Sequence, residues 1–386
     1  MAATLSFHMS AQQKLVFAHE GSWAAAPIPS IDSIKIGKSP LFQIHFLNST
    51  ANIIADTIFL NKAISDTLFV RFDDNSVRIQ NPHLDYIQTQ IRNNDVFVST
   101  KEKKPFVCMA TGYSSNGRLV IDSDTTFTLR LSDLSLFSTK ASAISLTKKQ
   151  KVRIELAEGT VNTLSDATSY QPDCTDSSNG CLYSRGSLIF ADKGTLYVTG
   201  NYRHAITSGK NITVKEGRLI INDTKKDGLH CNKFMMEGGR IELHLSDDAT
   251  KGIKCKEDFV ISNGIIDGEA AGNIISENAS PSYCSLVKVN GNMTMKHGAI
   301  KLRHDGTGGR CISVDGDLII TGGTLELENH GNGGYYLTIE KELDYFTPKC
   351  ITVNGTTYIE RGHLHLIATG SGGKGVDCSD TPYIGR

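Results

Sequence analysis

Apolar and polar residues alternate along this chain in short runs, and glycine punctuates the runs. Gly194, Gly217, Gly239, Gly264, Gly298, Gly323 and Gly362 each precede one residue, an apolar residue, one residue and usually a second apolar residue, as in Thr195-Leu-Tyr-Val198 and Ala299-Ile-Lys-Leu302. A weaker copy follows Gly159. Upstream of these glycines lie further apolar pairs, Ile212/Val214, Phe234/Met236, Phe259/Ile261, Met293/Met295 and Leu318/Ile320. A period of two marks strands with one buried face. A strand, a glycine turn and another strand recur about every 22 to 25 residues, with two longer intervals. That is the period of a β-solenoid coil.

A second register runs in phase with the first. Leu182, Ile206, Leu229, Ile253, Ile312, Ile351 and Val376 align as an inward column, with Ser285 as a misfit. Two residues later, on the same side, come Ser184, Ser208, Cys231, Cys255, Val287, Val314, Val353 and Cys378. One residue before the inward column stand the small residues Cys181, Ala205, Gly228, Gly252, Cys284, Cys311, Cys350 and Gly375, suited to a tight corner beneath the next coil. Columns in phase predict an all-β chain folded as a parallel β-helix, with like residues stacked about 4.8 Å apart.

The coil period does not reach the N-terminus. Residues 1–11 read as the end of a truncated signal peptide, cut after Ala11, which points to a secreted or cell-envelope protein. Residues 12–65 hold short strands without the period and predict a small β segment or cap. Residues 66–386 carry the coils. Two excursions interrupt them, a polar one at 165–180 and one at 331–348 bearing Tyr335, Tyr336, Tyr345 and Phe346. Excursions from a regular scaffold are where function is commonly carried.

A formal charge of −1 argues against nucleic acid as a partner, and the apolar runs are too short for a membrane-spanning helix. Nothing in the pattern sets an oligomeric state. Of nine cysteines, seven fall in the stacked columns, where a thiol serves as a small apolar filler. Two residues before each inward position stand His204, Asp227, Lys251, Tyr283, Arg310, Lys349 and Lys374. This row of mostly cationic residues up one corner could face the carboxylates of an acidic polymer. Thr207, His230, Lys254, Ser313, Thr352 and Asp377 line the face beside it.

The segments Asp227-Gly-Leu-His-Cys231, Lys251-Gly-Ile-Lys-Cys255 and Lys374-Gly-Val-Asp-Cys378 resemble the repeated Asp-Gly-Ile motif of a bacterial carbohydrate-binding family of secreted cellulose- and pectin-binding proteins. Ala191–Ile206 and Ile154–Asp166 resemble other segments of that family, and the likeness spans roughly residues 66–380. It implies a right-handed, single-stranded parallel β-helix that binds acidic or β-linked polysaccharide, with calcium as the cofactor. Asp223, Asp227, Asp247 and Asp248 are the candidate calcium ligands. The chain departs from the motif, because Lys251 and Lys374 stand where it carries acids.

The reading is a non-catalytic polysaccharide-binding protein whose ligand lies along His204, Lys251, Tyr283, Arg310, Lys349 and Lys374. A β-helix lyase or hydrolase and a structural surface or adhesin protein are the alternatives. Paired carboxylates at a defined separation, which a glycosidase needs, are not evident, and the acids scatter over turns.

Overall fold

The computed structural model describes residues 13–36, 40–47, 49–61, 65–172, 174, 178–276 and 281–385. The stretch read as a signal remnant, residues 1–11, lies outside them. From Thr67 onward the chain winds into a parallel β-helix with three strands per regular coil. One coil runs His204–Ser208, Asn211–Val214, Arg218–Thr224, and the next repeats it as Asp227–Cys231, Lys233–Met236, Arg240–Leu245. Each strand pairs in parallel with its counterpart a coil away, as Phe234 with Phe259 and Ile241 with Ile266.

The first strands of the coils form one sheet of twelve, all parallel except the antiparallel start, Ile87–Arg92 on Asp95–Thr100. The second and third strands form separate faces that merge at Phe127–Phe137. The first half of that strand pairs with Val152–Leu156 and its second half with Val161–Ser165.

Alternation decides what fills the interior. On the second face Leu188, Ile212, Phe234, Phe259 and Met293 stack inward, and on the third Leu196, Leu219, Ile241, Ile266 and Ile300 do so. These belong to one core running from Leu68 to Ile359. The turn into the third face needs a left-handed residue, and Gly217, Gly239, Gly264, Gly298, Gly323 and Gly362 all have positive φ, from 74° to 135°. Gly194 lacks that φ; a Cβ there would lie 2.5 Å from the Ala157 carbonyl oxygen.

Residues Lys14 to Asn61 form antiparallel hairpins around a separate core of Leu15, Phe17, Ala26, Ile44 and neighbours. They join the solenoid where Trp23 and Ala24 pair with Gln80 and Asn81. Among the described residues no helix is long and apolar enough to cross a membrane.

Candidate functional site

The long excursions leave the coil at the same corner, between a third strand and the next first strand. Residues 166–179 precede Gly180–Ser184, 271–284 precede Ser285–Val289, and 330–348 precede Lys349–Val353. The corner stays narrow because its backbone is stacked directly. A Cβ on Gly306 would meet the Gly272 carbonyl oxygen at 2.0 Å, one on Gly331 the Gly306 oxygen at 1.9 Å, and one on Gly370 the Gly331 oxygen at 1.7 Å. Buried side chains tie the rest. Thr224 donates to the carbonyls of Arg203 and Asp227, and Asn329 donates to those of Gly309 and Lys349.

The row expected from sequence lies here, with one correction. Lys251 pairs with Ser285, and Ser285 with Arg310, so Ser285 and not Tyr283 occupies that step. Cys284 mimicked the small corner residue, but Leu286 holds that place, beneath which Gly252 packs. Val287 is therefore in register with Ile253 and Ile312. Tyr283 still reaches the site from the excursion, with its ring 3.4 Å from the Arg310 guanidinium, a cation–π contact.

The row is not a solvated line of cations. Its residues share the parity of the inward column, and His204 and Asp227 are buried. Lys349 and Lys374 both bond Asp377, the latter at 2.9 Å, and that bond holds the Lys374 ammonium above its ordinary pKa. Lys251 donates to the Ala249 carbonyl (2.6 Å) and the Ser282 hydroxyl (3.2 Å), and burial pushes its pKa down. Arg310 makes no ion pair among the described residues, and its buried Nε has no hydrogen-bond partner. Beside it stands the hairpin Gly334–Leu337 and Leu343–Phe346, in which Tyr335 and Tyr345 face each other across the strands, both largely exposed.

The expected calcium ligands do not converge among the described residues. Asp223 is bonded by Ser246 Oγ at 2.5 Å, Asp247 by Lys225 Nζ at 2.7 Å, and Asp248 by the Asn273 amide at 2.6 Å. Asp227 turns the other way. Its Oδ2 lies 2.7 Å from His230 Nδ1 and 3.2 Å from His204 Nδ1. Burial opposes its ionisation, yet the two imidazoles outweigh burial and hold the carboxyl well below the usual range. Burial likewise keeps His204 neutral more readily than a free imidazole. His204 and His230 were placed by sequence in separate columns; the spacing Asp227-x-x-His230 at a strand's entry was the signal that could have joined them.

On the third face, outward charges form a shallow depression lined by His244, Asp267, Glu269, Lys301, Arg303 and Glu326. Its acids are engaged: Asp267 by Arg240, Glu269 by His244 at 2.9 Å, and Glu326 by Lys301 at 2.8 Å. His363 and His365 flank Thr324 and Glu326 on the next coil.

Residues 93–252 match the model of a family described as carbohydrate-binding domain-containing protein. A curated relative from Acetivibrio thermocellus carrying that description is 30% identical over 125 residues, 31% of this chain and 44% of the relative. The match thus spans less than half of that relative's length. A solved structure of a polysaccharide lyase-like protein from C. thermocellum, a gadolinium derivative, superposes with a TM-score of 0.54 at 23% identity, over 66% of this chain and 96% of that one. At that identity the likeness speaks to the fold alone.

Proposed function

We propose, from the match of residues 93–252 to the model of the carbohydrate-binding domain-containing family, that this chain binds polysaccharide without cleaving it, outside the cell, and prefers glycans bearing carboxylates. The ligand runs along the excursion-bearing corner, parallel to the solenoid axis. The observation that carries this reading is Arg310. A half-buried guanidinium held on the Tyr283 ring, with no ion pair among the described residues, is a preorganised receptor for a carboxylate. Lys251, two ladder steps away at roughly 10 Å, is a second cation with no carboxylate partner among the described residues. The exposed rings of Tyr335 and Tyr345 supply flat apolar surface for the carbon face of a sugar.

Binding to polygalacturonate and to neutral β-linked glycans, with calcium added or chelated, tests the reading. Arg310→Ala should weaken polygalacturonate binding about tenfold, the loss of one charge-assisted contact. Lys374→Ala should change it less than about twofold, because an exposed ammonium already tied to Asp377 contributes little. Unchanged binding by the Arg310 variant would reject the corner as the carboxylate site. Release of unsaturated or reducing-end product would reject the non-catalytic role, and binding that vanishes without calcium would shift recognition to a bridging cation.

A further inference from the structure

His204, Asp227 and His230 lie at the lower end of the same corner, apart from the arginine–tyrosine receptor, and sugar recognition leaves them unused. Their ligand atoms all lie within 4.8 Å of one another, the one such group of three or more histidine, cysteine or carboxylate donors among the described residues. Asp227 is fully buried, and among the described residues its ion-pair partners are the two imidazoles, with no ammonium or guanidinium. Lys251, its ladder partner on the next coil, gives its hydrogen bonds to Ala249 and Ser282 instead. Two atoms of the cluster are orphaned, Asp227 Oδ1 and His204 Nδ1, although His204 Nδ1 lies 3.2 Å from Asp227 Oδ2. An ordinary hydrogen-bonded core cluster would not leave buried donors and acceptors unmatched at such close range.

We propose that His204, Asp227 and His230 bind a divalent cation of the zinc class. The donor set selects the ion. Two imidazoles and one carboxylate suit zinc and its neighbours in the transition series, whereas calcium takes about six to eight oxygens. The carboxylates of Asp223, Asp247 and Asp248, which could have supplied oxygens, are held by other partners. Successive rungs of a stacked sheet hold His204 and Asp227, so the site is rigid before an ion arrives. His230 is the partly exposed member and marks the entrance. Three protein ligands leave coordination positions open for water or another donor. The nearby positive charges of Lys251, Lys254 and Arg203 oppose a cation and set a limit on affinity.

The test uses the full chain, stripped with a chelator and alkylated to mask the half-buried thiols Cys174 and Cys378. Calorimetry with Zn²⁺ and the visible absorption of added Co²⁺ should report one ion per chain. Excess Ca²⁺ should not compete. His230→Gln alters the partly exposed ligand, so the fold should survive, as circular dichroism would verify; its Zn²⁺ affinity should fall at least about tenfold, the loss seen when even an outer-shell partner is removed. His204→Gln should do the same, and Zn²⁺ should raise the melting temperature of the parent but not of either variant. Absence of binding by the folded parent, undiminished affinity in folded His230→Gln, or displacement by Ca²⁺ would overturn the proposal. None of these readouts involves a glycan, so the outcome stands apart from that of the polysaccharide assays.

Discussion

Asp166 stands at the root of the first excursion, nearly buried. Tyr170 donates to its Oδ2 at 2.6 Å and the Asn201 amide to its Oδ1 at 2.6 Å, while Tyr170 stacks on Tyr202 with centroids 4.2 Å apart. Burial outweighs these hydrogen bonds and pushes the Asp166 pKa from 3.8 up to about 6. Between those values the folded chain holds a proton that the unfolded chain has released. Its contribution is therefore complete below about pH 4 and is lost as pH rises through about 6. The gap between those two values corresponds to about 3 kcal/mol. Asp166→Asn should remove this dependence, so the parent's stability measured by denaturant, relative to the variant, should decline by up to that amount from pH 4 to 6.5. Parallel stability curves would show that Asp166 stays ionised throughout. At this scale the sequence said little. Asp166 looked like one turn acid among many, because Tyr170, which bonds it and stacks on Tyr202 of the next coil, sits in an excursion whose path alternation does not encode.

Strands and turns were far more legible. The glycines before the third strands announce left-handed turns, Gly194 excepted, and period-two columns place Leu182, Ile206 and Leu229 in the core as the structure does. The failure was one coil, where Cys284 and Ser285 imitate the small-residue corner and the register slipped by two. Parity within the columns also held information that went unused, since positions two before an inward residue point the same way, and His204 and Asp227 are buried accordingly. The stacked corner glycines were not visible as a column, because the interval between them varies with each excursion. Their role is testable. A Cβ at Gly331 would collide with backbone, and its neighbour cannot swing aside as a side chain would. Gly331→Ala should cost about 1–3 kcal/mol or more. At Gly159 nothing lies within 4 Å and only the positive φ of 77° is strained, so Gly159→Ala should cost about 1–2 kcal/mol. Circular dichroism of both melts decides it: equal or reversed losses would mean that the corner relaxes freely.

For the whole molecule, a solenoid makes its contacts between neighbouring coils, so stability is built along one axis and the ends are its exposed edges. Residues Lys14 to Asn61 pack their own core and add Ser22–Pro27 beside Val77–Asn81. Removing residues 1–61 should leave the β signature of the coils but bare the pairing groups of Val77–Asn81, and open edges associate. Light scattering should then give a larger mass than for the full chain at equal concentration. An unchanged mass would show that this edge needs no cover. The sequence marked this N-terminal region by its missing period, but its pairing with the solenoid depends on contacts distant along the chain.

The glycine-stacked corner has a consequence for how such a molecule can change over time. Coil length is free at that point and constrained elsewhere, because a strand residue added to any face would throw every column out of phase. Material inserted at the corner leaves the pitch and the core untouched, and it always emerges beside the same line of side chains. New recognition loops can thus accumulate next to one another across successive coils, each a separate trial, while the folding of the scaffold that carries them is left as it was.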